Sequence, residues 1–444
     1  MYLGNCPPDL VTPRAAAADR DGAMKTSFPK DRIRAVLLEG VHDAGAELLA
    51  AEGFQVERLA GSPTPAQLTD LLSAAHLVGI RSKTQLRLEH LGAAPRLLAV
   101  GCFCIGTDQV DLKRARTLGL PVFNSPFGNT RSVAELTIAE VVMLCRRAFE
   151  KSAMMHAGGW DKSASGAHEV RGRTIGIVGY GHIGSQVSVL AEAMGMRVLY
   201  HDLVPKLALG NARQVGSLDE LLAGADILTL HVPATAQTKG MIGREQLARM
   251  RPGALLINNA RGNVVDLGAV RDSIARGHLS GGAFDVFPVE PRDGGEPFES
   301  ELRGLPNVIL TPHIGGSTVE AQETIARDVA SKLIKFVNVG STTGAVNVPQ
   351  VELPLQDEGA RPGAGPGGAP ERSHRVLHFH QNVPGVLGKI NSAMASQGVN
   401  VRAQYLRTDE TIGYVVLDVD PSASDAALES LDSIEETIRT RVLW

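Results

Sequence analysis

The chain has 444 residues, 21% of them charged, and a net charge of −4, which is room for about three domains of roughly 150 residues each. No block of Lys or Arg advertises a nucleic-acid or membrane surface, and no apolar stretch approaches the roughly 20 residues that span a bilayer. Small-molecule chemistry is the expectation.

The four cysteines, Cys6, Cys102, Cys104 and Cys145, lack C-x-x-C spacing and a neighbouring His cluster, which argues against a metal site or a disulfide framework. Cys102 and Cys104 flank Phe103 in an apolar run and read as small buried side chains. The first 30 residues lack a signal-peptide apolar core, and Asp9, Asp19 and Asp21 count against a transit peptide. A cytoplasmic protein is expected.

In chain order, residues 1–31 are rich in Ala, Pro and Asp without periodicity and read as a flexible tail. From Ile33 the pattern alternates: strand 33–38, helix 44–52, strand 54–59, helix 65–73, strand 77–80, strand 97–100 and strand 122–124. This predicts an α/β domain with a parallel sheet. Its third strand runs into Arg81-Ser82-Lys83-Thr84, which places cationic and hydroxyl groups at a strand's carboxyl end, where open α/β sheets hold ligands. An anionic ligand suits that position. Residues 132–146 form an apolar-faced bridging helix.

The next stretch, TIGIVGYGHIGSQVSVLAEAMGMRVLYHD at 174–202, reads as strand, Gly-rich turn, helix and strand. Gly179, Gly181 and Gly184 stand in G-x-G-x-x-G spacing: the first for a tight turn, the second for approach of a pyrophosphate, the third for close helix–strand packing. The phosphates would meet the helix N-terminus. Asp202 at the end of the second strand can accept from ribose hydroxyls and would repel a 2′-phosphate, so NAD rather than NADP is the expected cofactor. Tyr180 and His182, between the glycines, read as loop and surface residues.

Further helices are predicted at 218–222, 244–249 and 267–276, and strands at 227–230, 254–258, 282–285 and 308–310. A long helix at 318–337 is expected to return to the first domain. Residues 359–374 are Gly/Pro-rich and read as a linker, able to span on the order of 20 Å. Beyond it comes strand 375–380, helix 386–397, strands 399–406 and 413–419, helix 426–438 and strand 440–443. That βαββαβ order is the ferredoxin-like unit.

Three polar stretches follow strands in the nucleotide domain: Asn258 to Gly262, Asp285 to Pro291 and Thr311 to Gly316. Oxidation of a 2-hydroxy acid needs a guanidinium to hold the carboxylate, a base for the hydroxyl proton and a carboxylate to orient that base. Arg261, His313 and Glu290 supply those three types.

Together G-Y-G-H-I-G, H-V-P (231–233), N-A-R-G-N-V-V-D (259–266), D-V-F-P-V-E-P (285–291) and T-P-H-I-G-G-S (311–317) resemble the D-isomer-specific 2-hydroxyacid dehydrogenases. Three further segments, G-I-R-S-K-T (79–84), G-C-F-C-I-G-T-D-Q-V-D (101–111) and N-S-P-F-G-N-T-R-S-V-A-E-L (124–136), extend the resemblance over about 32–444. It is greatest to the members that oxidise 3-phospho-D-glycerate to 3-phosphooxypyruvate, at the start of serine synthesis, and carry a C-terminal ACT domain. The resemblance implies His313 as acid/base, Glu290 as its partner and Arg261 as carboxylate anchor, with Arg81, Ser82, Lys83 and Asn129 around the substrate. Lys83 stands where a relative has Arg, and Lys holds a phosphate as a point charge rather than as a fork. Cofactor contacts carried over, beside the three glycines, are His182, Ile183, Asp202, Asn259, Ala260, Asp285, Gly315 and Gly316.

The ACT resemblance implies that L-serine acts as an inhibitory effector at His380, Asn382 and Asn400, between paired ACT domains. Gln381 and Val383 depart from the family's charged residues there. The implied layout is a tail (1–31), a discontinuous substrate-binding domain (32–126 and 315–348), an NAD-binding domain (127–314), a linker (349–374) and a regulatory domain (375–444). ACT pairing plus nucleotide-domain pairing implies a homotetramer, in which Trp160 is a candidate interface residue, core packing being the alternative. Two rival readings remain: the same fold acting on another 2-oxo acid such as 2-oxoglutarate, and an NAD-sensing binding protein without catalysis.

Overall fold

The structure, a computed structural model, describes residues 29–291, 295–354 and 373–443. The tail with Cys6 and most of the Gly/Pro-rich stretch lie outside the described residues. The chain divides into two compact units, one of residues 127–322 and one of residues up to 126 together with 323–444.

The first sheet belongs to the second of these. Its strands are β1 (Arg34–Leu37), β2 (Gln55–Arg58), β3 (Leu77–Ile80), β4 (Ala99–Cys102) and β5 (Val122–Asn124), all parallel in the order β2-β1-β3-β4-β5. Strands β3 and β4 are buried along their length, as a parallel sheet covered on both faces requires. The connecting helices start where side chains satisfy free N–H groups: Thr64 and Gln67 form a capping box before Pro65–Ala74, and the Asp111 carboxylate accepts from Arg114 N before Leu112–Thr117.

Helix Val319–Val339 brings the chain back. Its buried side chains Ile325, Val329, Leu333 and Phe336 share one core with Leu37, Leu77, Ala99 and Phe123 of the sheet.

The second sheet runs β6 (Thr174–Val178), β7 (Arg197–His201), β8 (Arg213–Gln214), β9 (Ile227–Leu230), β10 (Ala254–Asn258), β11 (Leu279–Phe284) and β12 (Val308–Leu310). Its order, β12-β11-β10-β9-β6-β7-β8, reverses between β6 and β9. That is the doubly wound arrangement, and the carboxyl ends of strands at its reversal point form the ligand crevice. The third sheet is antiparallel, β14-β15-β13-β16, from β13 (His374–Gln381), β14 (Val401–Thr408), β15 (Ile412–Val419) and β16 (Thr437–Leu443). Helices Val386–Ser396 and Ser424–Asp432 complete the ferredoxin-like order. The α/β class and all three architectures read from the sequence are therefore present.

Four local readings are corrected. The strand expected at 97–100 is Ala99–Cys102, because pairing with β3 sets the register while the apolar run LLAVGCFC marks no end of its own. Helices Leu88–Gly92, Leu112–Thr117 and Ala148–His156 went unread, being short or weakly periodic. The last helix ends at Asp432 rather than Ile438: the Thr437 hydroxyl donates to Leu431 O, and Thr437–Leu443 is taken into the sheet beside β13. Tyr180 is not a surface residue; it is buried, stacks on Tyr200 at 3.8 Å and donates its hydroxyl to Ser188 Oγ.

Leu333→Ala, on the returning helix and fully buried, is expected to destabilise its unit by about 2–5 kcal/mol. Urea unfolding followed by circular dichroism measures this.

Candidate active site and effector site

At the end of β6, Gly179 turns the chain with φ 90°, and a Cβ there would lie 2.7 Å from His231 O. Gly184 packs against the same turn so closely that a Cβ would stand 2.2 Å from Gly179 O. Open space lies in front of Gly181, at the N-terminus of helix His182–Ala193. The His182 ring packs tilted against Phe127, with centroids 3.7 Å apart, and Ile183 is half-buried beside it in sequence. Asp202 fixes the mouth: its Oδ2 accepts from Tyr180 N at 2.8 Å and its Oδ1 from Val204 N at 3.1 Å. A carboxylate has about four acceptor sites, so capacity for ribose hydroxyls remains.

The three polar strand ends meet within this unit. At the end of β10, Asn258 closes the Arg261 turn: its Nδ2 donates to Arg261 O at 3.0 Å and its Oδ1 accepts from Ala260 N at 3.2 Å. The next residue, Gly262, abuts the segment after β11, where a Cβ would fall 2.0 Å from the Phe287 carbonyl carbon. Only glycine lets the Arg261 turn and the Asp285–Pro291 segment lie this close. Asp266, at the end of N-A-R-G-N-V-V-D, caps helix Leu267–Ala275 by accepting from Ala269 N at 3.0 Å.

Asp285 is buried and receives three hydrogen bonds. Its Oδ1 accepts from the Thr311 hydroxyl at 2.6 Å and Ile314 N at 2.8 Å, and its Oδ2 from Gly315 N at 2.8 Å. The turn so gripped carries His313 at φ 55°, left-handed backbone that residues other than glycine seldom adopt. His313 Nδ1 lies 2.8 Å from Glu290 Oε2, and Glu290 Oε1 accepts from Phe287 N at 3.1 Å.

Burial pushes the Glu290 carboxyl up, but the bonds from His313 and Phe287 N and the nearby charges of His313 and Arg261 outweigh it and leave the group below its ordinary value. It is therefore an acceptor, so in the neutral imidazole Nδ1 carries the proton and Nε2 the free lone pair. The bond from Glu290 raises the His313 pKa, with Asp285 adding to it and burial and Arg261 opposing.

Asn129 precedes helix Thr130–Arg146 and lies against the same turn, since a Cβ on Gly316 would approach Asn129 Nδ2 to 2.5 Å. Arg81, Ser82 and Lys83 lie in the other unit, at the carboxyl end of β3.

Sequence reasoning missed Glu140. It is buried on helix Thr130–Arg146, where its Oε2 accepts from Asn259 Nδ2 at 2.7 Å, and the same amide donates to Thr137 Oγ1 at 3.1 Å. Burial raises Glu140 to about 8, against the lowering effect of the Asn259 bond. A Glu inside the apolar run I-A-E-V-V was the available signal. Asn259 Oδ1 is left buried without a partner. With the open cradle at Gly181 and the Asp202 carboxylate, these residues fit a dinucleotide.

In the third sheet His380 is buried, with Nδ1 2.9 Å from Gln381 O and Nε2 without a partner. Asn382 Nδ2 donates to Asp409 O at 2.5 Å. Asn400 lies elsewhere, donating to Asp420 Oδ2 at 3.2 Å. The register pairs His380 with Gly413 and Val401 with Val419, so the two positions sit at opposite ends of β15, roughly 20 Å apart at ~3.3 Å per residue. One ACT domain does not unite the three.

Cys102, Cys104 and Cys145 are free thiols. Burial pushes Cys104 up to about 11 and Cys102 well upward, which suits inert packing. No group of metal-ligating side chains occurs among the described residues. Trp160 is 77% exposed, which removes the core-packing option.

Residues 138–315 match the family described as D-isomer specific 2-hydroxyacid dehydrogenase, NAD binding domain, and residues 376–439 match an AHAS small subunit-like ACT domain. The chain belongs to the D-isomer specific 2-hydroxyacid dehydrogenases, and its nucleotide unit binds NAD. Within that family it is 48% identical over 421 residues to D-3-phosphoglycerate dehydrogenase of Haemophilus influenzae, a match covering 95% of this chain and 99% of the relative. Identity to D-3-phosphoglycerate dehydrogenase of Escherichia coli K12 is 48% over 423 residues, covering 95% and 100%. Among solved structures, the TT0316 protein of Thermus thermophilus superposes with TM-score 0.62 at 33% identity, over 68% of this chain and 96% of that one. A D-lactate dehydrogenase of Aquifex aeolicus, complexed with NAD and lactic acid, gives TM-score 0.60 at 29% identity, over 68% and 95%.

The geometry fixes one titration. The His313 imidazole is expected to titrate above its ordinary 6.5, and Glu290→Gln to bring the midpoint down. NMR of labelled histidine reads both.

Proposed function

We propose that this chain is an NAD-dependent enzyme that oxidises 3-phospho-D-glycerate to 3-phosphooxypyruvate, the first step of serine synthesis. The observation that carries the reading is the His313–Glu290 pair at 2.8 Å, adjoining Arg261 on an NAD-binding fold. The names of the relatives supply the substrate.

Arg261 grips the C1 carboxylate, and His313 Nε2 takes the C2 hydroxyl proton. Glu290 holds Nδ1–H, orients the ring and stabilises the imidazolium that forms. NAD, held on the nucleotide unit, would supply the acceptor for the C2 hydride, so that the products are the 2-oxo acid, NADH and a proton on His313. Asn129 is a further substrate residue. Arg81, Ser82 and Lys83, on the 32–126 and 315–348 domain, bind its phosphate end. Gly179, Gly181, His182, Ile183, Gly184, Asp202, Asn259, Ala260, Asp285, Gly315 and Gly316 hold the cofactor.

L-Serine acts at paired ACT domains, where His380 and Asn382 of one copy meet Asn400 of another. The separation of Asn400 from His380 along β15 supports this, because a site built from all three requires two copies. The assembly is a homotetramer in the cytoplasm, and no helix among the described residues is long and apolar enough to cross a membrane.

NADH formation from 3-phosphoglycerate with and without L-serine tests the reading: turnover that serine suppresses is expected, and absence of turnover would sink it. His313→Ala should lower kcat about 10²- to 10⁴-fold with little change in NAD affinity. Because the base must be neutral to accept the proton, a raised His313 pKa puts the acid limb of the oxidation above pH 6.5. Glu290→Gln should move that limb to lower pH while reducing kcat.

A further inference from the structure

The turn Arg81-Ser82-Lys83-Thr84 is built around a residue that the reaction does not use. Glu39 follows β1 and the buried Leu38, is itself 8% exposed, and has φ 62°. A glutamate in left-handed backbone is strained, and such a conformation persists only where its surroundings over-determine it. Those surroundings are hydrogen bonds. Glu39 N donates to Gly61 O at 3.1 Å, and Leu38 N donates to Gly79 O at 2.8 Å. The unusual backbone turns the Glu39 side chain under the neighbouring loop, where its Oε2 accepts from Lys83 N at 2.9 Å and its Oε1 from Thr84 N at 2.7 Å. The main-chain oxygen of Glu39 accepts from Arg81 Nη1 at 3.5 Å.

The opposite side of the turn is held as well. Gln109 Nε2 donates to Arg81 O at 2.6 Å, and Thr84, buried at 2% exposure, shares a hydroxyl bond of 2.8 Å with Ser62. Two successive N–H groups converging on one point make a concavity that binds anions. Here the chain's own carboxylate fills it. The backbone of the turn is thereby closed to an external anion, and the more exposed Arg81, Ser82 and Lys83 side chains are left to face one.

We propose that Glu39 is the positioning residue of the phosphate end of the substrate site: by occupying the Lys83 and Thr84 N–H groups it fixes the Arg81–Lys83 side chains in the arrangement that selects a phosphorylated hydroxy acid. This deepens the reading above and rests on its assignment of Arg81, Ser82 and Lys83 to the substrate. Glu39 touches no reacting atom, so its effect falls on substrate affinity and not on the chemical step.

The test uses the full-length enzyme with Glu39→Gln, which keeps one acceptor and puts an NH2 against the other N–H. Glu39→Asn is the second variant; asparagine tolerates positive φ but is too short to reach both donors, and it is read in the same way if the first does not fold. The KM for 3-phosphoglycerate should rise about tenfold, the size of one lost charge-assisted hydrogen bond, with kcat and the KM for NAD within about twofold. Affinity for D-glycerate, measured as a competitive inhibitor without the phosphate, should stay nearly constant. An unchanged or lower KM for 3-phosphoglycerate, or equal weakening of 3-phosphoglycerate and D-glycerate, would overturn the proposal. Arg81→Ala separates the two levels: if it leaves the KM for 3-phosphoglycerate unchanged, the substrate assignment fails. If it raises that KM while the Glu39 variants do not, the inference about Glu39 fails alone.

Discussion

The Asp285 carboxylate, and the three hydrogen bonds it accepts from Thr311, Ile314 and Gly315, is the constraint on which the proposed chemistry depends. The turn it holds would otherwise relax, because His313 sits in left-handed backbone. Bonds to a buried carboxylate are about twice as strong as neutral ones, enough to offset that strain. With the turn fixed, His313 Nδ1 reaches Glu290, and the proton is committed to Nδ1. Glu290 is held in turn by Phe287 N, and the absence of a side chain at Gly262 lets the Arg261 turn lie against Phe287. A guanidinium, an imidazole and a carboxylate from three separate strand ends thus share one rigid support.

The fold explains why those three ends are available together. In a doubly wound parallel sheet every strand delivers its carboxyl end to the same edge, and the reversal between β6 and β9 opens a crevice there. The proposed cofactor cradle after β6 and the proposed reactive groups after β10, β11 and β12 are consequences of one topology. The antiparallel third sheet works differently. The residues proposed to hold its effector lie beside opposite ends of β15, so that proposed site calls for a partner copy, whereas the nucleotide unit collects its proposed reactive groups in one chain.

Much of this was legible in the sequence because the signals are local. Thr174 to Asp202 declares strand, turn, helix and acidic end in one short segment, and the strand-end motifs carry Arg261, Glu290 and His313 in plain view. Features set by distant pairs were not legible. Glu39 meets Lys83 and Thr84 across more than 40 residues, and Glu140 meets Asn259 across 119. A buried acid with one amide donor looks, in sequence, like any charged residue on a helix. Tyr180 was misread for the same reason: its place between fingerprint glycines suggested a loop, while its environment comes from Tyr200 and Ser188. The last helix was read too long because Glu435 and Glu436 continue a helical composition, and only pairing with β13 draws Thr437 into a strand.

The chemistry proposed is direct hydride transfer from C2 of a phosphorylated D-hydroxy acid to NAD, with the hydroxyl proton taken by His313. The most direct measurement is mass spectrometry of the reduced cofactor formed from 3-phospho-D-glycerate carrying deuterium at C2. Direct transfer places the deuterium in the reduced cofactor. Unlabelled reduced cofactor with the deuterium released to water, or no reduction at all, would contradict it.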